Sequence, residues 1–281
     1  METWQAELVL DARADLGEGP LWDARSGELL WVDIMAGLLH RFDPATGNDV
    51  ALDVGQPVGC VVQRAAGGYG LGLQEGFGVA NGRVELLTRL DTGRPDLRMN
   101  DGACDSRGRF WAGTMQLDFE PGAGSLYRLD ADGTLHTMLR DVTISNGIAW
   151  SLDETLMYYV DTPTRAIDVF DYDAASGSIE NRRQLLAFED GAGDPDGLIV
   201  DTEGCIWVAL WNGSAVRRYA PDGTLLGVVE VPASRVTKPA FGGPGLDELY
   251  ITTALGPEPS SGGVFRAATG ARGLQPHAFA G

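Results

Sequence analysis

Six times along the chain a short strand ending on an aromatic or apolar patch is followed by a turn and a second strand of alternating apolar residues, at intervals of about 40 to 50 residues. The first strands are Leu29-Leu30-Trp31-Val32-Asp33, Gly70-Leu71-Gly72-Leu73, Phe110-Trp111-Ala112-Gly113, Met157-Tyr158-Tyr159-Val160-Asp161, Ile206-Trp207-Val208-Ala209 and Leu249-Tyr250-Ile251-Thr252. Between partner strands lie Thr46-Gly47, Asn81-Gly82, Asp132-Gly133, Ser176-Gly177 and Asp222-Gly223, pairs that supply the positive φ angles of tight hairpins. That period matches four short strands and their turns, so the chain is expected to be all-β, a six-bladed β-propeller. A β-sandwich pair would not account for the regular spacing. Radial repetition removes free sheet edges. No linker-like shift in composition divides the chain, so residues 1–281 are expected to form one domain around a central site. Ring closure is expected to pair Glu7-Leu8-Val9-Leu10 with Val264-Phe265-Arg266.

With 281 residues and 44% hydrophobic content, a large core is available. The formal charge of −19 repels phosphate backbones and anionic headgroups, so no nucleic acid and no membrane surface is expected as a partner. Cys60, Cys104 and Cys205 are odd in number and show no CxxC spacing, which suggests buried thiols rather than a disulfide framework or zinc knuckle. The first ten residues lack a basic start followed by an apolar run, and no stretch is long and apolar enough to span a bilayer. A cytoplasmic protein is expected, so Asn212-Gly213-Ser214 is a chance sequon.

Four polar motifs interrupt the strand pattern: Leu16-Gly17-Glu18-Gly19-Pro20, Arg98-Met99-Asn100-Asp101-Gly102, Ser145-Asn146-Gly147 and Asp194-Pro195-Asp196-Gly197. Each sets an oxygen donor beside glycine or proline at the mouth of an expected strand. In a closed ring they converge. Hard divalent cations prefer such oxygens, and three protein donors would leave coordination positions open for chemistry. Taken singly, an Asn-Gly or Asp-Gly is more often a turn.

These motifs, with Gly108-Arg109-Phe110-Trp111-Ala112-Gly113-Thr114-Met115, Ile148-Ala149-Trp150-Ser151 and Val236-Thr237-Lys238-Pro239-Ala240-Phe241-Gly242-Gly243, resemble the regucalcin and gluconolactonase family over essentially the whole length. The resemblance implies hydrolysis of a small-molecule sugar lactone, such as gluconolactone, xylonolactone or arabinolactone, to the aldonic acid. It also implies one divalent metal ion (Ca, Zn, Mn, Mg or Fe(II)) held by Glu18, Asn146 and Asp196, with Asp196 also the catalytic base or proton shuttle. Arg98 and Asn100 match its substrate-contacting residues, and Asp101 follows in the same loop. Where the family often carries a glutamate, this chain reads Gln116-Leu117-Asp118-Phe119-Glu120, and Asp118 is taken for that role. Two other functions share the motifs: a calcium-binding regulatory protein without lactone turnover, and an esterase or phosphotriesterase using the same site. A monomer or weak homo-oligomer is expected.

Other signals carry less. A Gly-x-Ser-x-Gly elbow is absent, which disfavours a serine nucleophile. His40, His136 and His277 lie away from every motif, and Gly67-Gly68-Tyr69-Gly70-Leu71-Gly72 lacks the helix and lysine of a phosphate loop. Asp130-Ala131-Asp132-Gly133 reads as a hairpin turn rather than a calcium loop. Trp211 and Asn212, just after a strand, are candidates for the pocket mouth.

Overall fold

Each repeat folds as strands hydrogen-bonded antiparallel in chain order, and the six resulting sheets form the blades of a β-propeller. The computed structural model describes residues 1–90 and 92–281. Blade 1 spans residues 17–53, blade 2 residues 58–89, blade 3 residues 97–142 and blade 4 residues 145–187. Blade 5 spans residues 194–230, and blade 6 is built from Val236–Gly242, Glu248–Thr253, Val264–Ala268 and the N-terminal Glu7–Leu10.

The innermost strands are Gly17–Asp23, Val58–Gln63, Leu97–Cys104, Ser145–Trp150, Asp194–Val200 and Val236–Gly242. Each packs on the next, and the last packs on the first, so the ring closes around a central axis. Val58–Gln63 is buried along its whole length, whereas the outer Val84–Arg89 alternates between half-buried and exposed. A strand covered on both faces can be continuously apolar; one with a wet face must alternate.

Closure follows the expected pairing, with Glu7 opposite Arg266, Leu8 opposite Phe265 and Leu10 opposite Val264. An unanticipated strand precedes it. Glu2–Gln5 runs parallel to Leu225–Glu230 and adds a fifth strand to blade 5. Trp4 sits 5.6 Å from Trp207, centroid to centroid, and covers Gly227, so the N-terminus ties blade 5 to blade 6.

Trp31, Trp111 and Trp207 recur at one blade position and are fully buried. Buried indole N–H groups need acceptors. Trp111 donates to Asp105 at 2.8 Å and Trp207 to Asp201 at 2.9 Å, within matching Asp-x-x-Gly-x-x-Trp segments of blades 3 and 5. Asp105 also takes Arg109 Nε at 2.6 Å, and Asp201 takes Arg218 at 2.7 Å. The three cysteines are free and buried, and burial pushes the Cys60 thiol up to about 12, which leaves it inert.

Candidate functional site

Every innermost strand breaks its pairing register near the end where the polar motifs lie. The shifts fall between Glu18 and Leu21, Val58 and Cys60, Met99 and Gly102, Ser145 and Ile148, Pro195 and Leu198, and Val236 and Lys238. A bulge re-aims the side chains it contains. Asn100, Asn146 and Asp196 all lie inside such breaks, and Glu18 borders one. The glycines that follow permit the crowding this requires. A Cβ on Gly147 would stand 2.6 Å from Leu198 Cγ of the next blade, and one on Gly197 would overlap the Lys238 side chain.

Two carboxylates hold the incoming chain just upstream of these residues. Asp33 accepts the N–H groups of Asp15 at 2.9 Å and Leu16 at 3.0 Å, two residues before Glu18. Asp161 accepts Ile144 N–H at 2.8 Å and Thr143 N–H at 3.1 Å, two residues before Asn146. The Val-Asp endings Val32-Asp33 and Val160-Asp161 carry that signal in the sequence, where they read only as strand ends.

A one-directional chain of hydrogen bonds then crosses three blades. Arg98 Nη1 donates to Asn100 Oδ1 at 2.6 Å, and Asn100 Nδ2 donates to Asn146 Oδ1 at 3.0 Å. Asn146 Nδ2 donates to Thr162 Oγ1 at 2.8 Å, which donates to the Pro195 carbonyl at 2.8 Å, one residue before Asp196. The amide of Asn146 is thereby oriented with its oxygen toward Asn100. Its second lone pair is left free.

Glu18, Asp101 and Asp196 are nearly fully buried, as are Arg98, Asn100, Asn146 and Lys238. Glu18 keeps one contact, accepting Gly19 N–H at 2.8 Å. Burial, and then the charge of Asp101, push its pKa up to about 8. Burial and the neighbouring charge of Glu18 push Asp196 well above the usual carboxylate range. Arg98 is pushed down to about 10 by burial. Among the described residues, five buried side-chain polar atoms lack a hydrogen-bond partner, and three of them belong here: Arg98 Nε, Asp101 Oδ2 and Asp196 Oδ1. Buried polar atoms are rarely left unsatisfied.

The structure therefore brings together six of the seven residues marked from the sequence: Glu18, Arg98, Asn100, Asp101, Asn146 and Asp196. Asp118 lies on an exposed turn directly after the blade 3 strand that pairs with Arg98, its N–H donating to Gln116 Oε1 at 2.6 Å. Lys238, quoted only within a longer segment, is the residue whose importance sequence reasoning missed: its ammonium pairs with Asp101 Oδ1. Trp211 lies at the same end of blade 5, with the Arg235 guanidinium 5.4 Å from its ring.

Among the described residues no three His, Cys, Asp or Glu side chains gather around one point. A set of two carboxylates and one amide is a different pattern. The unpaired Asp196 Oδ1, the free lone pair on Asn146 Oδ1 and the crowded, under-compensated Glu18 suit a hard divalent ion. Glu18 and Asn146 come from blades 1 and 4, opposite each other in the ring, with Asp196 on blade 5. Beyond them along the axis lies a cavity of about 410 Å³, lined by Trp22, Trp150, Phe241, Leu198 and Lys238 among others, with residues 274–277 at its rim.

Residues 16–255 match the model of the SMP-30/gluconolactonase/LRE-like region. Regucalcin of Xenopus laevis is 37% identical over 299 residues, covering all of both chains. The Bacillus subtilis protein YvrE, classed with the sugar lactone lactonases, is 38% identical over 288 residues, covering 98% of this chain and 99% of its own. The crystal structure of a calcium-binding regucalcin from Agrobacterium tumefaciens superposes with a TM-score of 0.94 at 28% identity, covering 99% of each chain. No helix among the described residues is long and apolar enough to cross a membrane. In sequence, in fold and in the convergence of its polar motifs, the chain belongs to the SMP-30/gluconolactonase/LRE-like family.

Proposed function

We propose that the protein opens sugar lactones to aldonic acids using one divalent cation held by Glu18, Asn146 and Asp196. The observation that carries this reading is the meeting of two buried carboxylates and an oriented amide oxygen, from three blades, beside the Arg98–Asn100 pair. Membership in a lactonase family supports it.

A divalent cation, when bound there, supplies positive charge for a lactone carbonyl oxygen as it turns anionic. The chain's own groups do the rest. The Asp196 carboxylate, one oxygen of which would hold the cation, would take the proton of an attacking water on its other oxygen. The water oxygen bonds to the carbonyl carbon, the ring C–O bond breaks, and Asp196 returns the proton to the departing ring oxygen. Arg98 and Asn100 offer donors and acceptors that orient the neutral, hydroxyl-rich ring. Arg98 then faces the carboxylate product. Close burial of the cluster limits competing water and strengthens each of these polar interactions.

Lactone hydrolysis should vanish in protein stripped by a chelator and return on adding one divalent ion; activity that survives exhaustive stripping rejects the mechanism. Asp196→Asn should lower kcat by about a hundred- to ten-thousandfold with the circular dichroism spectrum unchanged. A fully active Asp196→Asn removes Asp196 from the chemistry. Saturable calcium binding without turnover of any five- or six-membered sugar lactone would instead favour a regulatory protein.

A further inference from the structure

Lys238 enters the site from blade 6 and its partner Asp101 from blade 3. These blades are diametrically opposed in a six-membered ring, so the side chain must cross the axis to make the contact. Its course is marked. The aliphatic stem lies on Gly197 of blade 5, where a Cβ would overlap it, and it also lines the cavity beyond the site. Lys238 is 6% exposed and Asp101 2% exposed.

Three buried carboxylates therefore share this end of the tunnel, from blades 1, 3 and 5, with Arg98 and Lys238 the cations near them. Asp101 differs from the other two. Its Oδ1 takes both the Lys238 ammonium and Gly102 N–H, the latter at 2.7 Å, while Oδ2 is buried without a partner. Asp101 does not join Glu18 and Asp196 around one point, but its charge acts on both, and uncompensated it would add a third negative charge to the site.

We propose that Lys238 is a crossbar across the tunnel, a tethered cation that neutralises Asp101 so that a divalent ion meets the charge of two carboxylates rather than three. The crossbar separates the reaction end of the tunnel from the apolar cavity behind it and sets the affinity of the site from within. A moderate affinity keeps coordination positions exchangeable; an uncompensated third negative charge nearby would tighten the site toward a storage function. This inference rests on the cation-binding reading above.

The test is calorimetric titration of the chelator-stripped full chain with Ca²⁺, with no substrate present. Lys238→Met should bind Ca²⁺ about tenfold more tightly than the wild type or take up a second equivalent, and Asp101→Asn, which leaves an uncompensated ammonium, should bind about tenfold more weakly. The double variant Lys238→Met/Asp101→Asn restores charge balance and should return to within about threefold of the wild type. It also removes the buried unpaired charge, so it keeps the test decisive if Lys238→Met fails to fold. Wild type that binds one Ca²⁺ while all three variants match it overturns the crossbar alone. A double variant as tight as Lys238→Met also overturns it, because the effect then does not pass through Asp101. Wild type that binds no Ca²⁺ overturns both the crossbar and the cation-binding reading.

Discussion

Glu18 bears the conflict of the site in its own protonation. Without a cation, burial and the charge of Asp101 lift its pKa from 4.5 to about 8, so the folded chain holds a proton that the unfolded chain releases. The stability this contributes is full below about pH 4.5 and is lost as pH rises through about 8. Asp196 shifts in the same direction. Metal-stripped protein should therefore lose thermal stability steadily between pH 5 and pH 8, and Ca²⁺, which requires the ionised carboxylates, should reverse the loss most strongly at the upper end. Melting curves across that range, with and without the ion, check this; a flat or rising profile for the stripped protein contradicts it. At this scale Glu18, Asn146 and Asp196 were legible because oxygen donors beside glycine stand out against strand sequence. Lys238 was not, because a lysine's meaning here depends on what lies across the ring.

At the scale of strands, the bulge in each innermost strand aims side chains inward and the tryptophans behind it hold the blade. Trp111 is fully buried, its indole donates to Asp105, and the Arg128 guanidinium lies 5.7 Å from its ring. Trp111→Ala leaves a large cavity and removes a donor from a buried carboxylate, so it should destabilise the protein by about 3–5 kcal/mol. Trp111→Phe fills most of the space and should cost clearly less, and denaturant unfolding of the two variants separates packing from the hydrogen bond. The hairpin turns were legible from Asn-Gly and Asp-Gly pairs, and all five glycines take positive φ, from 71° to 86°. The register shifts were not. A bulge is a relation between two strands, and no residue type announces it.

For the whole molecule the N-terminus matters more than its length suggests. Glu7–Leu10 closes blade 6, and Glu2–Gln5 clamps blade 5 beside it, so these ten residues join the last two blades of the ring. Deleting residues 1–10 should open the ring and lower the melting midpoint by at least about 10 °C, judged from the loss of Trp4 burial and two strands of pairing. Deleting residues 1–5 should have a smaller effect, since the antiparallel closure stays. A deletion of residues 1–10 that melts like the full chain would show that the ring is held elsewhere. The antiparallel closure was foreseeable from apolar alternation. The parallel strand was not, because its partner edge exists only once blade 5 has formed.

By itself the amino-acid sequence determined the six repeats, the turns between them, the ring and most of the polar residues at its centre, because alternation, glycine turns and out-of-place oxygen donors are local patterns. Only the tertiary structure decided that Asp33 and Asp161 anchor the chain ahead of the site, that Asn146 is oriented through Thr162, that Asp118 falls on an exposed turn, and that Lys238 reaches Asp101 from the far side. Those contacts join residues up to 137 positions apart, and their energies depend on burial and on neighbours across the axis, which exist only when the blades have closed.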